Sequence, residues 1–439
     1  MSDQRLEQRE QQARREVGRT EIARAGSVAL VALFAVTLAA GVLGERLGAG
    51  KADGAHGIGD SFGAFAAQAG AALSPGFDGG VRARNSALHR AIDDLEEATE
   101  ESSWMRQALR PGVQAVLSGA LGVGNEQVYL GGDGWLYFRS SVDYLTGPGF
   151  LNAAVLERRT MGGEAWSLAP HPDPLPAIEG WASGLSERGI QLMLVPTPVK
   201  PSIRPQGLAG EAPGARGAIQ NPAYPRFLEQ VLAAGVEVYD PTADLLALAA
   251  EESPVYLRAD THWRPVAVER VAAGLAAAIR TWGERQQIDL GAAGRVYRRQ
   301  SVTISNRGDL FDLLGLPEAQ RLVSAEEVTL RRVVDAQRRL WRPDAESAIL
   351  LLGDSFSNVF SMPELGWGEG AGLAEQLSFE LGAPIDKLVV NAGGAFGARE
   401  RLVAELAEGR DRLAGKRLVI WQFSQRELAV GDWKPLPLP

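Results

Sequence analysis

The chain has 439 residues, a formal net charge of −9, 45% apolar and 23% charged residues, and no cysteine. That is ordinary globular composition with room for a large core, and it excludes a disulfide framework, a thiolate nucleophile and a Cys-based metal site. The negative balance argues against nucleic acid as a partner. There are only four histidines, His56, His89, His171 and His262, which leaves little support for a multi-His metal centre.

Residues 26–44 form 19 consecutive uncharged, mostly apolar or small residues. At about 1.5 Å per residue a helix of that length spans roughly one hydrocarbon core. Six arginines precede it (Arg5, Arg9, Arg14, Arg15, Arg19, Arg24), which by the positive-inside rule keeps residues 1–25 in the cytoplasm. The expectation is an inner-membrane anchor with everything after it on the periplasmic or extracytoplasmic side. A cleavable signal peptide is the rival reading, although the charged lead is long for one.

Residues 45–84, rich in Gly and Ala, read as a linker with a short helix near 64–73. Residues 85–121 carry helical periodicity that breaks at Arg110-Pro111. Two short apolar runs around Gly132-Asp133-Gly134 predict a hairpin over 127–137. From about 165 onward, strands at 190–195, 236–239, 348–352, 387–390 and 417–423 alternate with helices near 174–188, 222–234, 242–251, 265–284, 369–382 and 398–413. Such alternation predicts a mostly parallel sheet covered on both faces, an α/β/α sandwich filling 85–439. The less regular stretch 285–345 has room for a further hairpin.

The run 348–352 leads into Gly353-Asp354-Ser355-Phe356-Ser357, so Ser355 leaves the sheet at a carboxyl edge, where ligands bind in parallel α/β folds. Its own N–H is a candidate oxyanion donor. Asp260-Thr261-His262-Trp263 places an acid and an imidazole two apart, just before a helix opened by Pro265. In an extended segment these two project to one side. An acid, a histidine and a serine are what nucleophilic acyl chemistry requires: the imidazole takes the hydroxyl proton and the acid fixes its tautomer. Neither His56, His89 nor His171 has a carboxylate two residues away. No cofactor and no metal are expected.

These motifs resemble those of the alginate O-acetyltransferase family, whose extracytoplasmic members carry SGNH-hydrolase-like domains. Gly131–Tyr137, Val195–Pro205 with its Lys200, Gly308-Asp309-Leu310 and Val419–Arg426 are similar to further blocks of that family, in its order, over roughly residues 100–433. The resemblance implies Ser355 as nucleophile, His262 as base and Asp260 as orienting acid. Acid and base precede the serine, the reverse of ordinary SGNH esterases, which resembles a circular permutation. Lys200, Asn391 and Arg426 are further candidates, Asn391 as an oxyanion donor or a contact to a sugar hydroxyl. The family often has an acid where Gln422 and Gln425 stand, and no C-terminal carbohydrate-binding module is evident.

The resemblance implies an O-acetyltransferase acting on hydroxyls of an exported or cell-surface polysaccharide through an acyl-serine. It also implies a membrane-bound O-acyltransferase as the donor partner. A carbohydrate esterase with the same triad and a non-catalytic scaffold of an export complex stay open as alternatives.

Overall fold

The computed structural model describes residues 58–74, 84, 87–89, 91–92, 94–96 and 104–438, except 162–169, 210–216, 252, 289–293, 318–319 and 321. The apolar stretch 26–44 and His56 lie outside them. Among the described residues no helix is long and apolar enough to cross a membrane. The chain forms two compact units, 1–110 and 111–439.

In the first unit a helix runs over Ile58–Leu73, starting earlier than the helix expected at 64–73. The helix Trp104–Leu121 contains Pro111, where the sequence predicts a break. Proline removes one backbone N–H there, but flanking Ala, Leu, Gln and Arg are strong helix formers and carry the helix through.

The second unit carries two antiparallel hairpins and a parallel sheet. In the first hairpin β1 (Val128–Leu130) pairs with β2 (Leu136–Phe138), as expected from the Gly-Asp-Gly turn. The sheet takes β3 (Gln191–Thr197) and β4 (Glu237–Val238). In the second hairpin β5 (Arg298–Asn306) pairs with β6 (Glu326–Val334), filling the irregular stretch 285–345. The helix Asp309–Leu314, which follows β5, packs towards β1 and β2. β7 (Ile349–Gly353), β8 (Asp386–Val389) and β9 (Leu418–Ser424) complete the sheet.

The order of the five parallel strands is β4-β3-β9-β7-β8. Each coincides with one of the apolar runs read from the sequence. Side chains alternate between two cores, as strand geometry requires. Met193, Val195, Ile349, Leu351, Leu418 and Ile420 face one core, packed with residues of the helices Thr242–Ala250, Pro265–Gln286 and Leu373–Leu381. Leu192, Leu194, Leu350, Leu352, Val419 and Trp421 face the other, against the helices Pro174–Glu187, Tyr224–Ala233 and Gly397–Ala407. This is a three-layer sandwich buried on both faces, which is why its strands read as continuous apolar runs.

Candidate active site

The segment that carries Ser355 leaves β7 as a tight turn. Gly353 cannot carry a side chain: a Cβ there would lie 2.5 Å from Ser357 Oγ and 3.1 Å from Gln422 Oε1. Asp354 caps the following helical turn Ser355–Asn358, its Oδ1 accepting the Phe356 N–H at 2.8 Å and its Oδ2 the Ser424 N–H at 2.9 Å. This ties the turn to the end of β9. Ser355 occupies the first position of that helical turn, so its N–H has no intrahelical acceptor and is available to a ligand.

Asp260 and His262 reach Ser355 from a loop, not from an extended strand. Tyr256 and Trp263 pair across a small antiparallel bridge, and Asp260, Thr261 and His262 lie in the bend it closes. The Asp260 carboxylate turns back on the chain: Oδ1 accepts both the His262 N–H at 2.9 Å and His262 Nδ1–H at 2.7 Å. The two side chains therefore meet because an Asx-type turn folds one onto the other. His262 Nε2 then lies 2.8 Å from Ser355 Oγ. Trp263 locks the two segments together, its Nε1 donating to the Phe356 carbonyl at 3.0 Å.

Three residues to which the sequence assigned no part in the triad complete this arrangement. Asp260 Oδ2 accepts from Trp367 Nε1 at 2.8 Å and from the Asp309 N–H at 3.0 Å. Asp309 also accepts the Thr261 N–H at 2.6 Å, and its other oxygen is 3.7 Å from His262 Nδ1. Gln422 stands where the family resemblance implied an acid. It accepts from Ser357 Oγ at 2.6 Å and from the Asp354 N–H at 3.2 Å, and donates to Thr197 Oγ1 at 3.0 Å. Its neutral amide needs both capacities at once, which a carboxylate lacks.

Electrostatics follow from these contacts. Burial pushes the Asp260 carboxyl up, but the charge and hydrogen bonds of His262, with the Trp367 N–H, outweigh it and hold Asp260 well below the usual carboxylate range. Burial pulls His262 down, and the Asp260 carboxylate, seconded by Asp309, more than offsets this, so the imidazole titrates above its ordinary value. Burial and the neighbouring Asp260 charge push Asp309 up to about 6. The Asp260, His262 and Asp309 donor atoms lie within 4.8 Å of one another, close enough to hold a cation. Yet both Asp260 oxygens and His262 Nδ1 are already engaged with one another or with N–H donors, and the set is accounted for without one.

Asp260, His262 and Ser355 lie beside a cavity of about 470 Å³ whose walls include Phe138, His262, Ser355, Asp309, Asn391 and Arg426. Asn391 lies two residues beyond the end of β8. Its Nδ2 lies 3.0 Å from Met362 Sδ and its Oδ1 accepts from Asn358 Nδ2 at 3.2 Å. Arg426 holds its guanidinium 5.2 Å from the Phe138 ring, 3.2 Å from Ser424 Oγ and 3.5 Å from Glu427 Oε1. Lys200 is placed elsewhere. It is buried beside Trp135 and Tyr137 and gives its Nζ to the carbonyls of Leu136 (2.6 Å) and Arg258 (3.2 Å), fastening β2 to the loop that carries Asp260. Burial lowers its pKa to about 8.

A serine at the carboxyl edge of a parallel sheet, hydrogen-bonded to an Asp-held histidine and open to a cavity, defines an SGNH-hydrolase-like enzyme of the serine acyl-transfer class. Residues 128–425 match the SGNH hydrolase-like domain of acetyltransferase AlgX, and the chain belongs to that family. It is 26% identical over 322 residues to a probable alginate O-acetylase AlgJ of Pseudomonas aeruginosa, covering 70% of this chain and 72% of the relative. To the protein of the same description in Pseudomonas syringae pv. tomato it is 27% identical over 325 residues, 71% of this chain and 73% of the relative. Among solved structures, the O-acetyltransferase domain of Pseudomonas putida AlgJ shares the fold, with a TM-score of 0.51 and 23% identity over 69% of this chain and 92% of that domain. The protein is thus an SGNH-type O-acyltransferase.

Proposed function

We propose that the protein acetylates hydroxyls of an alginate-like exopolysaccharide on the outer side of the cytoplasmic membrane, with Ser355 carrying the acetyl group. The observation that carries this reading is the unbroken run Asp260–His262–Ser355 at hydrogen-bond distances, facing a cavity large enough for a sugar unit. Ser355 Oγ attacks the acyl carbonyl while its proton passes to His262 Nε2. The Ser355 N–H and Asn391 Nδ2 take the oxyanion. Collapse expels the donor's leaving group, which receives the proton from His262. A sugar hydroxyl then repeats the step, giving its proton to His262 and attacking the acyl-serine, and Ser355 departs reprotonated.

Residues 26–44 would anchor the chain, with 1–25 cytoplasmic and 45–84 as the spacer to the domain at 85–439. Anchoring raises the effective concentration of domain and a membrane-bound O-acyltransferase donor without new contacts. The reversed order of acid, base and serine along the chain fits a circular permutation of the SGNH order, and triad chemistry is indifferent to it.

Water and a sugar hydroxyl are similar acceptors, so the esterase alternative shares every residue of this site. Supplying the purified full-length protein with an activated acetyl ester, with and without mannuronate oligosaccharide, separates the two. The expected result is acetylated oligosaccharide in excess of free acetate. Acetate release indifferent to the sugar would make the protein an esterase.

The pH dependence has a defined sign. His262 acts as base only when neutral, so kcat/KM falls as pH drops through its raised pKa, with the acidic limb above the ordinary imidazole range. Asp309→Asn removes one of the charges that raise it. The limb of that variant is expected at lower pH, read from kcat/KM profiles of the two proteins.

A further inference from the structure

Asn391 is one end of a polar chain that leaves the cavity and enters the core. On β8, Lys387 directs Nζ to Glu375 Oε1 and to Asn358 Oδ1, each at 3.4 Å. Asn358 Nδ2 in turn donates to Asn391 Oδ1 at 3.2 Å. Glu375 is buried, on the helix Leu373–Leu381, and none of Glu375, Lys387 and Asn358 touches the triad's acid or base.

The chain admits one consistent set of donors and acceptors. An ammonium only donates, whereas an amide has a donor end and an acceptor end. Lys387 therefore obliges Asn358 to turn its oxygen inward. The NH₂ group of Asn358 is left facing Asn391, which must answer with its oxygen. That leaves Nδ2 as the donor end of Asn391, a residue of the cavity wall, and the protein neighbour of that nitrogen is the Met362 sulfur at 3.0 Å, a weak acceptor. Were Asn358 reversed, Asn391 would present its oxygen to the cavity and repel a developing oxyanion. The backbone after Asn391 is fixed too: Ala392 is held at φ 56°, a left-handed conformation that costs a non-glycine residue energy and persists only where the surroundings impose it.

We infer that Glu375, Lys387 and Asn358 are a positioning relay that sets the Asn391 amide as a hydrogen-bond donor to the tetrahedral oxyanion. The inference rests on the reading of Asn391 as an oxyanion donor. It makes the polarity of one amide at the active site depend on a lysine that never meets substrate.

The test is a kinetic cycle on the full-length protein with an activated acetyl ester. Lys387→Met removes the obligate donor and is expected to lower kcat by up to about 100-fold, the scale of a misplaced catalytic group, with KM little changed. In an Asn391→Ala background the same substitution should cost nothing further, while Lys387→Arg, still donor-only, should restore most of the rate. Asn358→Asp guards against misfolding of the lysine variant. It keeps the shape and the bond to Lys387 but accepts on both sides, so it reverses Asn391 and should match Asn391→Ala in kcat. An equal loss from Lys387→Met in both backgrounds, or an Asn358→Asp variant with wild-type kcat, would overturn the relay. Unchanged kcat in Asn391→Ala would overturn it as well, at the oxyanion assignment, leaving the triad untouched.

Discussion

Replacing Ser355 by alanine is expected to lower acetyl transfer by about 10⁵- to 10⁶-fold, the scale found when a triad nucleophile is removed. The loss is that large because no other group can take its place. Cysteine is absent from the chain, and the hydroxyl of Ser357 is engaged with Gln422 at 2.6 Å. Stability should barely move, since the Ser355 side chain contributes a single hydrogen bond, to His262, worth about 1 kcal/mol. Adding His262→Ala to the serine variant should cost almost nothing more, because the two act as one unit. The check is kcat/KM for the single and double variants alongside thermal unfolding. A double variant much slower than Ser355→Ala would show that His262 serves some step other than activating the serine.

The second large effect is expected at Asp260→Asn, about 10⁴-fold in kcat by the logic of triad acids. Asp260 presents acceptor oxygens in every direction: Oδ1 to His262 and Oδ2 to Trp367 and the Asp309 N–H. An asparagine must place an NH₂ group on one side. Facing His262, it makes Nδ1 the acceptor and moves the ring proton to Nε2, where it blocks removal of the serine proton. Facing Trp367 and Asp309, it opposes two N–H donors in a buried site. The first outcome removes activity and sets the NH₂ against the one backbone N–H, of His262, that Oδ1 accepts; the second keeps the ring proton on Nδ1 and lowers the unfolding temperature more, because it opposes two donors. Transfer rates measured with unfolding curves tell them apart. Wild-type turnover in a folded Asp260→Asn protein would remove Asp260 from the mechanism.

Buried parallel strands leave plain marks in a sequence, and much of this fold was legible for that reason. The runs 190–195, 348–352 and 417–423 are apolar on both faces, since both faces are covered, and each ends where a polar loop must begin. Strand order was not legible. β9, last in the chain, inserts between β3 and β7, and no local pattern records a neighbour chosen by the packing of the whole sheet. The meeting of Asp260, His262 and Ser355 could be read because the first two are two residues apart and Ser355 follows a strand, although an Asx turn and not an extended segment brings the first two together. The contacts of Trp367 and Asp309 were out of reach because these residues meet Asp260 from 107 and 49 residues away. The partner of Lys200 was hidden for a related reason. A lysine after β3 suggests a charge at the carboxyl edge, but its Nζ turns to two backbone carbonyls in the interior. Gln422 looked like a missing acid and is a two-way hydrogen-bond link that holds the nucleophile turn.

The most direct measurement of the central claim is the intact mass of the protein after a brief exposure to an activated acetyl ester at a pH below the His262 limb, where deacylation is slow, followed by peptide mapping. A single added acetyl group on Ser355, absent from Ser355→Ala and discharged when mannuronate oligosaccharide is added and the pH is raised above the limb, is the expected result. Acetylation of the oligosaccharide with no acetyl-serine at any time, and at full rate in Ser355→Ala, would contradict it.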